Sequence, residues 1–304
     1  MCPSADEPVL FKAGAPHQGP IPLEGDYQEK LDFICSKHIL DLELGGIGIR
    51  VRVDDPKLAE HIESKYKVFL SQGSPEITLD VRVEEKVPFE TLMSTFCTYR
   101  HADRTIAKFR AMAGFIDLEE RFGKAIVGPD NFSQDFENYL RPVMCSITPR
   151  FNAVLFHTSA ICRDGSAFVF FGPSGAGKST ITKLASKHTV MSDDMVVLVR
   201  CEDGIHAKTC GFWGGETTEY PSLKLDVPIK AFFPLHKSEE NRIVRMNRSK
   251  AVLTFLLNIP SVARTVPEQE GIFDLANAIA KTCPFYDFYF CKEDDSFWEV
   301  IDSA

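Results

Sequence analysis

The residues with the clearest chemical meaning form a glycine-rich loop, Gly172-Pro-Ser-Gly-Ala-Gly177-Lys178-Ser179-Thr180. Its glycines allow several backbone N–H groups to converge on one phosphate, which the start of a following helix also favours. In the pattern G-x-x-x-x-G-K-[ST], the lysine reaches the β- and γ-phosphates and the next hydroxyl binds Mg²⁺. The sequence therefore predicts a site for ATP and Mg²⁺, formed by Gly172, Ser174, Gly175, Ala176, Gly177, Lys178, Ser179 and Thr180.

An acidic pair, Asp193-Asp194, follows Lys178 by 15 and 16 residues and leads into the apolar run 195–199. Side chains alternate along a strand, so the two carboxylates are expected to point in opposite directions. Phosphoryl transfer needs charge neutralisation by a metal and a group that accepts the proton of the attacking hydroxyl. We expect Asp193 to be the base and Asp194 to bind Mg²⁺, and the reverse order stays open.

Other residues carry weaker signals. Glu216 ends the run Gly211-Phe-Trp-Gly-Gly-Glu216 and is expected to add a metal or substrate contact. Phe212 and Trp213 either stack on an adenine or belong to the core. Three arginines at three-residue spacing either clamp the transferred phosphoryl group or form a solvated charged face: Arg242, Arg245 and Arg248.

The order of these residues resembles the HPr kinase/phosphorylase family, whose catalytic domain is related to phosphoenolpyruvate carboxykinase. The similarity lies in His157 ahead of the loop, the loop itself, and the acidic pair before an apolar strand. It covers about residues 150–200 and continues more weakly through 228–235. It implies that Asp193 acts as base on a seryl hydroxyl, that Ser179 and Asp194 hold Mg²⁺, and that His157 lies nearby. The relation looks closer to the broad set of HPr-kinase-like serine kinases, including those that act on peptides or small hydroxylated molecules, than to HPr kinase itself.

The first half of the chain predicts a separate domain. Alternating runs at 46–53 and 76–83 enclose a helical pattern at 56–70, which indicates a β-α-β unit. Further strands are expected at 104–112, 114–119 and 124–127. A helix over 132–148 should be kinked or split by Pro142. We place the boundary near residue 140, with an N-terminal α/β domain over 1–140 and a P-loop kinase domain over 141–304.

The second half predicts a mixed α/β sheet around the loop. Strands are expected at 153–162, 167–171, 195–199 and 231–233, and helices at 178–187, 249–257 and 268–281. A closing hairpin is expected to pair 285–291 with 297–301. The predicted fold class is α/β, with a mixed-sheet P-loop catalytic domain of the HPr kinase and phosphoenolpyruvate carboxykinase type behind the N-terminal domain.

Composition narrows the class of protein. The 304 residues carry a net charge of −9 with no basic stripe, which argues against nucleic-acid or anionic-membrane partners. The sequence lacks both a long apolar run and a signal-like start, so a cytoplasmic location is expected. Nine cysteines stand singly, which indicates reduced thiols and neither a disulfide framework nor a zinc site.

The sequence thus predicts an Mg·ATP-dependent kinase that transfers phosphate to a hydroxyl, with serine of a protein, peptide or small molecule as the expected acceptor. Two alternatives stay open. One is a regulatory protein that binds a nucleotide without catalysis. The other is a small-molecule kinase of the shikimate- or nucleotide-kinase type. Whether the chain forms a homo-oligomer is also left open.

Overall fold

The structure, a computed structural model, describes residues 31–85, 96–185, 187–214, 223–260, 262, 264–292 and 296–303. They divide into two compact units. The first holds the described residues up to Phe151 together with 262 and 264–269, and the second holds those from Asn152 to Pro260 and from 270 onward. The expected boundary near residue 140 falls inside a helix that packs on the sheet of the first unit. Residues 1–30 of the expected N-terminal domain and Glu216 lie outside the described residues.

The first unit is built on a mixed sheet of seven described strands in the order β1-β2-β3-β7-β6-β5-β4. As expected, β2 and β3 are parallel and are joined by a helix, α1. The outer strands β1 and β4 were not predicted from the sequence. The strands are β1 His38–Leu44, β2 Ile47–Val53, β3 Ile77–Val83, β4 Cys97–His101, β5 Arg104–Phe109, β6 Met112–Asp117 and β7 Phe122–Val127; the helices are α1 Pro56–Lys65 and α2 Phe132–Ile147, with 3-10 turns at Lys67–Phe69 and Thr148–Phe151.

Helix α2 runs without interruption through Pro142, so the expected split does not occur. Nearly all of its side chains are buried, and packing on the sheet offsets the cost of a proline in a helix. Tyr139 shows how close this packing is, because its hydroxyl donates a 2.7 Å hydrogen bond to the carbonyl of Phe115. A Cβ on Gly123 would lie 2.4 Å from that hydroxyl, so the sheet needs glycine there.

The second unit has a mixed sheet of nine described strands, seven of them in the order β11-β9-β10-β14-β13-β12-β8, with β16 pairing β14 and β15. The central pair β10 and β14 is parallel. The strands are β8 Ala153–His157, β9 Ser159–Arg163, β10 Ser166–Phe171, β11 Thr189–Ser192, β12 Met195–Arg200, β13 Ile205–Thr209, β14 Asp226–Lys237, β15 Arg242–Arg245 and β16 Tyr286–Phe290; the helices are α3 Lys178–Leu184, α4 Arg248–Leu256, α5 Val266–Thr282, whose first four residues are assigned to the first unit, and α6 Phe297–Asp302.

Two expectations about this unit are wrong. The single strand predicted over 153–162 is two strands, which separate at Thr158: β8 pairs with β12, and β9 pairs with β10 and β11. The predicted hairpin arm 297–301 is helix α6, because Phe297 and Ile301, four residues apart, both enter the core beside β16. Strand β16 therefore pairs with β14 and β15.

Aromatic side chains fill both sides of this sheet. On one side, Phe156 stacks on Phe255 at 4.7 Å between ring centroids, and Phe232 stacks on Phe285 at 4.4 Å. The other side contains Phe170 and further aromatic residues of β14, β16 and α6. This packing fixes the strands that carry the loop and the acidic pair. Among the helices that the structure describes, none is long and apolar enough to cross a membrane.

Candidate active site

The glycine-rich loop joins β10 directly to α3, the strand-loop-helix order that the sequence predicts. Three of its glycines have a positive φ, +150° at Gly172, +73° at Gly175 and +112° at Gly177, a conformation that L side chains rarely adopt. A Cβ on Gly177 would also lie 3.0 Å from the ring of Phe290. The loop shape therefore depends on glycine. Gly177 is the N-cap of α3 and has no side chain to cap the helix.

Lys178 turns its ammonium group back over the loop. Its Nζ donates to the carbonyl of Gly172 at 2.8 Å and to that of Pro173 at 3.3 Å. Burial lowers the pKa of Lys178, and the negative charge of Asp194 acts in the opposite direction. The charge of Asp194 therefore acts on the lysine of the loop.

The acidic pair occupies the turn between β11 and β12, and Ser192 holds that turn in place. The Ser192 hydroxyl accepts the backbone N–H groups of Asp194 and Met195, both at 3.0 Å. It donates in turn to the carbonyl of Phe212 at 2.9 Å. Ser192 is a positioning residue that sequence reasoning missed, because its partner Phe212 is distant in the chain.

Asp193 is half-buried and faces the segment that follows β13. Its Oδ1 accepts the N–H of Gly214 at 2.9 Å. Burial raises the pKa of the Asp193 carboxyl, the Gly214 N–H lowers it, and the charge of Asp194 raises it further. A carboxyl with a raised pKa is a better proton acceptor than an exposed aspartate.

Asp194 points toward a different partner. It is 7% exposed, and its Oδ1 lies 3.1 Å from Nδ1 of His157. The register of β8 and β12, which places His157 opposite Met195, produces this pair. The two carboxylates therefore have separate partners, but the cause is the geometry of the turn and not alternation along a strand, because both residues lie between β11 and β12.

Lys237 is a further basic residue beside the loop. Its Nζ lies 4.0 Å from the position that a Cβ on Gly175 would take. The cause is the parallel pairing of β10 with β14: Phe171 lies opposite Pro234, so the end of β14 runs alongside the loop. The sequence contains no signal for this placement, because it depends on the order of the strands.

The other predicted residues are not brought to the loop by any contact that the structure gives. Phe212 is fully buried and belongs to the core, which excludes it as an adenine platform, whereas Trp213 is half-buried. The arginines contact other groups: Arg242 lies 3.5 Å over the ring of Tyr289, Arg245 lies 5.9 Å from that of Tyr286, and Arg248 donates to the carbonyl of Asn277. Glu216 lies outside the described residues.

The residues present fit a nucleotide and a divalent cation. The loop offers the exposed hydroxyl of Ser179 and the half-buried Thr180, and the acidic pair offers carboxylate oxygens, which are the donors that Mg²⁺ prefers. Lys178 and Lys237 supply positive charge on the loop side. The space beside Gly175 is open to a ligand, because the end of the Lys237 side chain is all that a Cβ there would meet.

Fold and site together define a mixed α/β protein with two sheets, a glycine-rich loop, and an acidic pair of which Asp194 acts electrostatically on the lysine of the loop. The family described as SynChlorMet cassette protein ScmC matches residues 135–304, which is more than half of the chain, and the chain belongs to this family. No curated protein matches it. The solved structure of the Hpr(Ser) kinase/phosphatase from Coxiella burnetii has 10% identity and a TM-score of 0.28, over 49% of this chain and 94% of that chain. At this TM-score the likeness does not establish a shared fold.

Proposed function

We propose that this ScmC-family protein is an Mg·ATP-dependent phosphotransferase that transfers the γ-phosphoryl group to a hydroxyl, with serine as the expected acceptor. The observation that carries the proposal is the set of three groups that the fold provides: the Lys178 ammonium over the loop, the Asp194 carboxylate whose charge acts on it, and the half-buried Asp193 next to Asp194 in the same turn. The residues by which the chain resembles HPr-kinase-like serine kinases are the same ones.

The proposed reaction uses the two aspartates differently. The acceptor hydroxyl attacks the γ-phosphorus, its O–H proton passes to Asp193, a new P–O bond forms, and the bond to the ADP oxygen breaks. Lys178 and Lys237 offset the negative charge of the phosphates. Ser179 and Asp194 would hold Mg²⁺, which supplies charge neutralisation and alignment when bound. His157 orients the Asp194 carboxylate through the 3.1 Å contact.

Nucleotide binding is tested first, on the full chain. Saturating Mg·ATP should raise the free energy of unfolding by about 2.7 kcal/mol at one hundred times Kd. Lys178→Ala should abolish this increase and keep the melting temperature of the free protein, because the ammonium contacts loop carbonyls and not the core. A wild-type chain whose melting temperature is unmoved by both Mg·ATP and Mg·GTP contradicts the proposal.

Catalysis is tested by phosphate transfer from labelled ATP to free serine, serine peptides and candidate proteins. Phosphate transfer by the wild type that is lost in Lys178→Ala supports the proposed kinase activity. Binding without transfer to any acceptor favours the regulatory alternative, and transfer restricted to small molecules favours the small-molecule kinase.

A further inference from the structure

A second group of metal-binding side chains lies at the hairpin between β12 and β13, the opposite end of β12 from Asp194. Three side chains that offer sulfur, oxygen and nitrogen meet there: Cys201, Asp203 and His206. Their ligand atoms all lie within 4.8 Å of one another. Strand β12 has six residues, which span about 20 Å, so this group is separate from the candidate active site.

The hairpin brings the three residues together by its own geometry. The N–H of Cys201 donates to the carbonyl of Gly204 at 2.7 Å, which closes the turn. Gly204 has φ +148° and a free space around its Cβ position. The three ligands therefore come from six consecutive residues, and folding of the hairpin alone places them.

His206 is oriented as a metal-bound histidine would be. Its Nδ1 lies 2.7 Å from Oδ1 of Asp226, and its Nε2 lies 3.2 Å from Oδ2 of Asp203. Lys208 in turn pairs with Asp226 at 2.9 Å. A carboxylate that accepts one ring N–H leaves the other ring nitrogen as a lone-pair donor, which is the usual arrangement around histidine ligands.

We propose that Cys201, Asp203 and His206 bind one zinc-class divalent cation. Thiolate, imidazole and carboxylate are the donors that Zn²⁺ combines in tetrahedral sites. The Asp203 side chain is 74% exposed, so a water molecule can reach the fourth position. The single cysteines of the sequence argued against a zinc site, and the signal that was missed is the spacing Cys-x-Asp-x-x-His within one hairpin.

The test is titration of the reduced, chelator-washed full chain with Co²⁺, which reports a thiolate ligand by sulfur-to-cobalt charge-transfer absorption. We expect one Co²⁺ per chain, a charge-transfer band, and loss of that band when Zn²⁺ is added. Cys201→Ser should remove the band. Cys97→Ser, which changes another half-buried thiol in the other unit, should retain it.

Two further variants separate a metal site from a hydrogen-bonded charge cluster. His206→Gln should abolish tight binding, and Asp226→Asn should weaken Co²⁺ affinity about 10- to 100-fold while the stoichiometry stays at one. Circular dichroism checks that each variant folds. If Cys201→Ser does not fold, the result for His206→Gln decides the outcome. Any of three results overturns the proposal. They are no charge-transfer band in the wild type, a band that persists in Cys201→Ser, and an unchanged Co²⁺ affinity in His206→Gln.

Discussion

Nδ1 of His157 lies 3.1 Å from Oδ1 of Asp194, which joins the end of strand β8 to the turn before β12. The contact depends on strand register and not on closeness in the chain. It gives the proposed metal ligand a fixed orientation, as hydrogen-bond partners of metal-binding carboxylates do.

His157→Gln should therefore raise the Mg²⁺ concentration needed for half-maximal activity by about 10- to 100-fold. The physical reason is that Asp194 loses the partner that orients it. Phosphate transfer is measured over a range of Mg²⁺ at saturating ATP. His101→Gln, at an exposed histidine of the other unit, serves as control. An unchanged Mg²⁺ profile in His157→Gln would show that the contact is only structural.

Lys237→Gln should weaken Mg·ATP binding about tenfold or more, because a hydrogen bond to a charged group contributes about 1.5–3 kcal/mol. The matched control is Lys230→Gln, an exposed lysine near the other end of the same strand. Calorimetric titration measures both affinities. Equal affinity in the two variants would remove Lys237 from the proposed phosphate site.

Gly177→Ala should lower stability and abolish nucleotide binding together. The new Cβ would lie 3.0 Å from the Phe290 ring at a φ of +112°. The control is Gly165→Ala. Gly165 also has a positive φ, +74°, but a Cβ there would meet nothing within 4 Å, so this variant introduces backbone strain without a steric clash. Urea unfolding should therefore show a larger loss for Gly177→Ala, and only this variant should lose the stabilisation by Mg·ATP. If both variants bind Mg·ATP normally, the loop does not cradle phosphate.

Asp135, in the first unit, makes stability depend on pH. Burial raises the pKa of its carboxyl from 3.8 to about 6, while Asn138 and Arg110 act in the opposite direction. The folded state then holds a proton that the unfolded state has released, so stability falls as pH rises from about 4 to 6, by at most about 3 kcal/mol. Asp135→Asn should remove this loss, and the exposed Asp130→Asn should not. Stability is measured by urea unfolding at several pH values. If the stability of Asp135→Asn falls between pH 4 and 6 as much as that of the wild type, the assignment is contradicted.

The sequence predicted the features that depend on neighbouring residues. The loop between β10 and α3, and the strand β12 that follows the acidic pair, depend on local pattern and are present where expected. The pairing of β8 with β12 and of β10 with β14 joins separate segments, so local pattern gives neither the contact of His157 with Asp194 nor the position of Lys237. Only the family resemblance implied that His157 lies near the site.

The wrong prediction of a hairpin at 285–301 has a physical reason of the same kind. The run 297–301 is short and mostly apolar, which is compatible with a strand, but Phe297 and Ile301 also have helical spacing. Only the aromatic core beside β16 decides between the two periods, since it buries Phe297 and Ile301 and leaves Glu299 exposed. The hairpin cluster of Cys201 with His206 was missed because no C-x-x-C pair drew attention to it.

The most direct test of the proposed function compares Asp193→Asn with Asp194→Asn. If Asp193 is the base, its variant should bind Mg·ATP with wild-type affinity and transfer phosphate about 10²- to 10⁴-fold more slowly. Asp194→Asn should instead require more Mg²⁺. The raised pKa of Asp193 also places the acidic limb of the wild-type pH–rate profile above the usual range of an aspartate. Wild-type transfer rates in both variants would contradict the account.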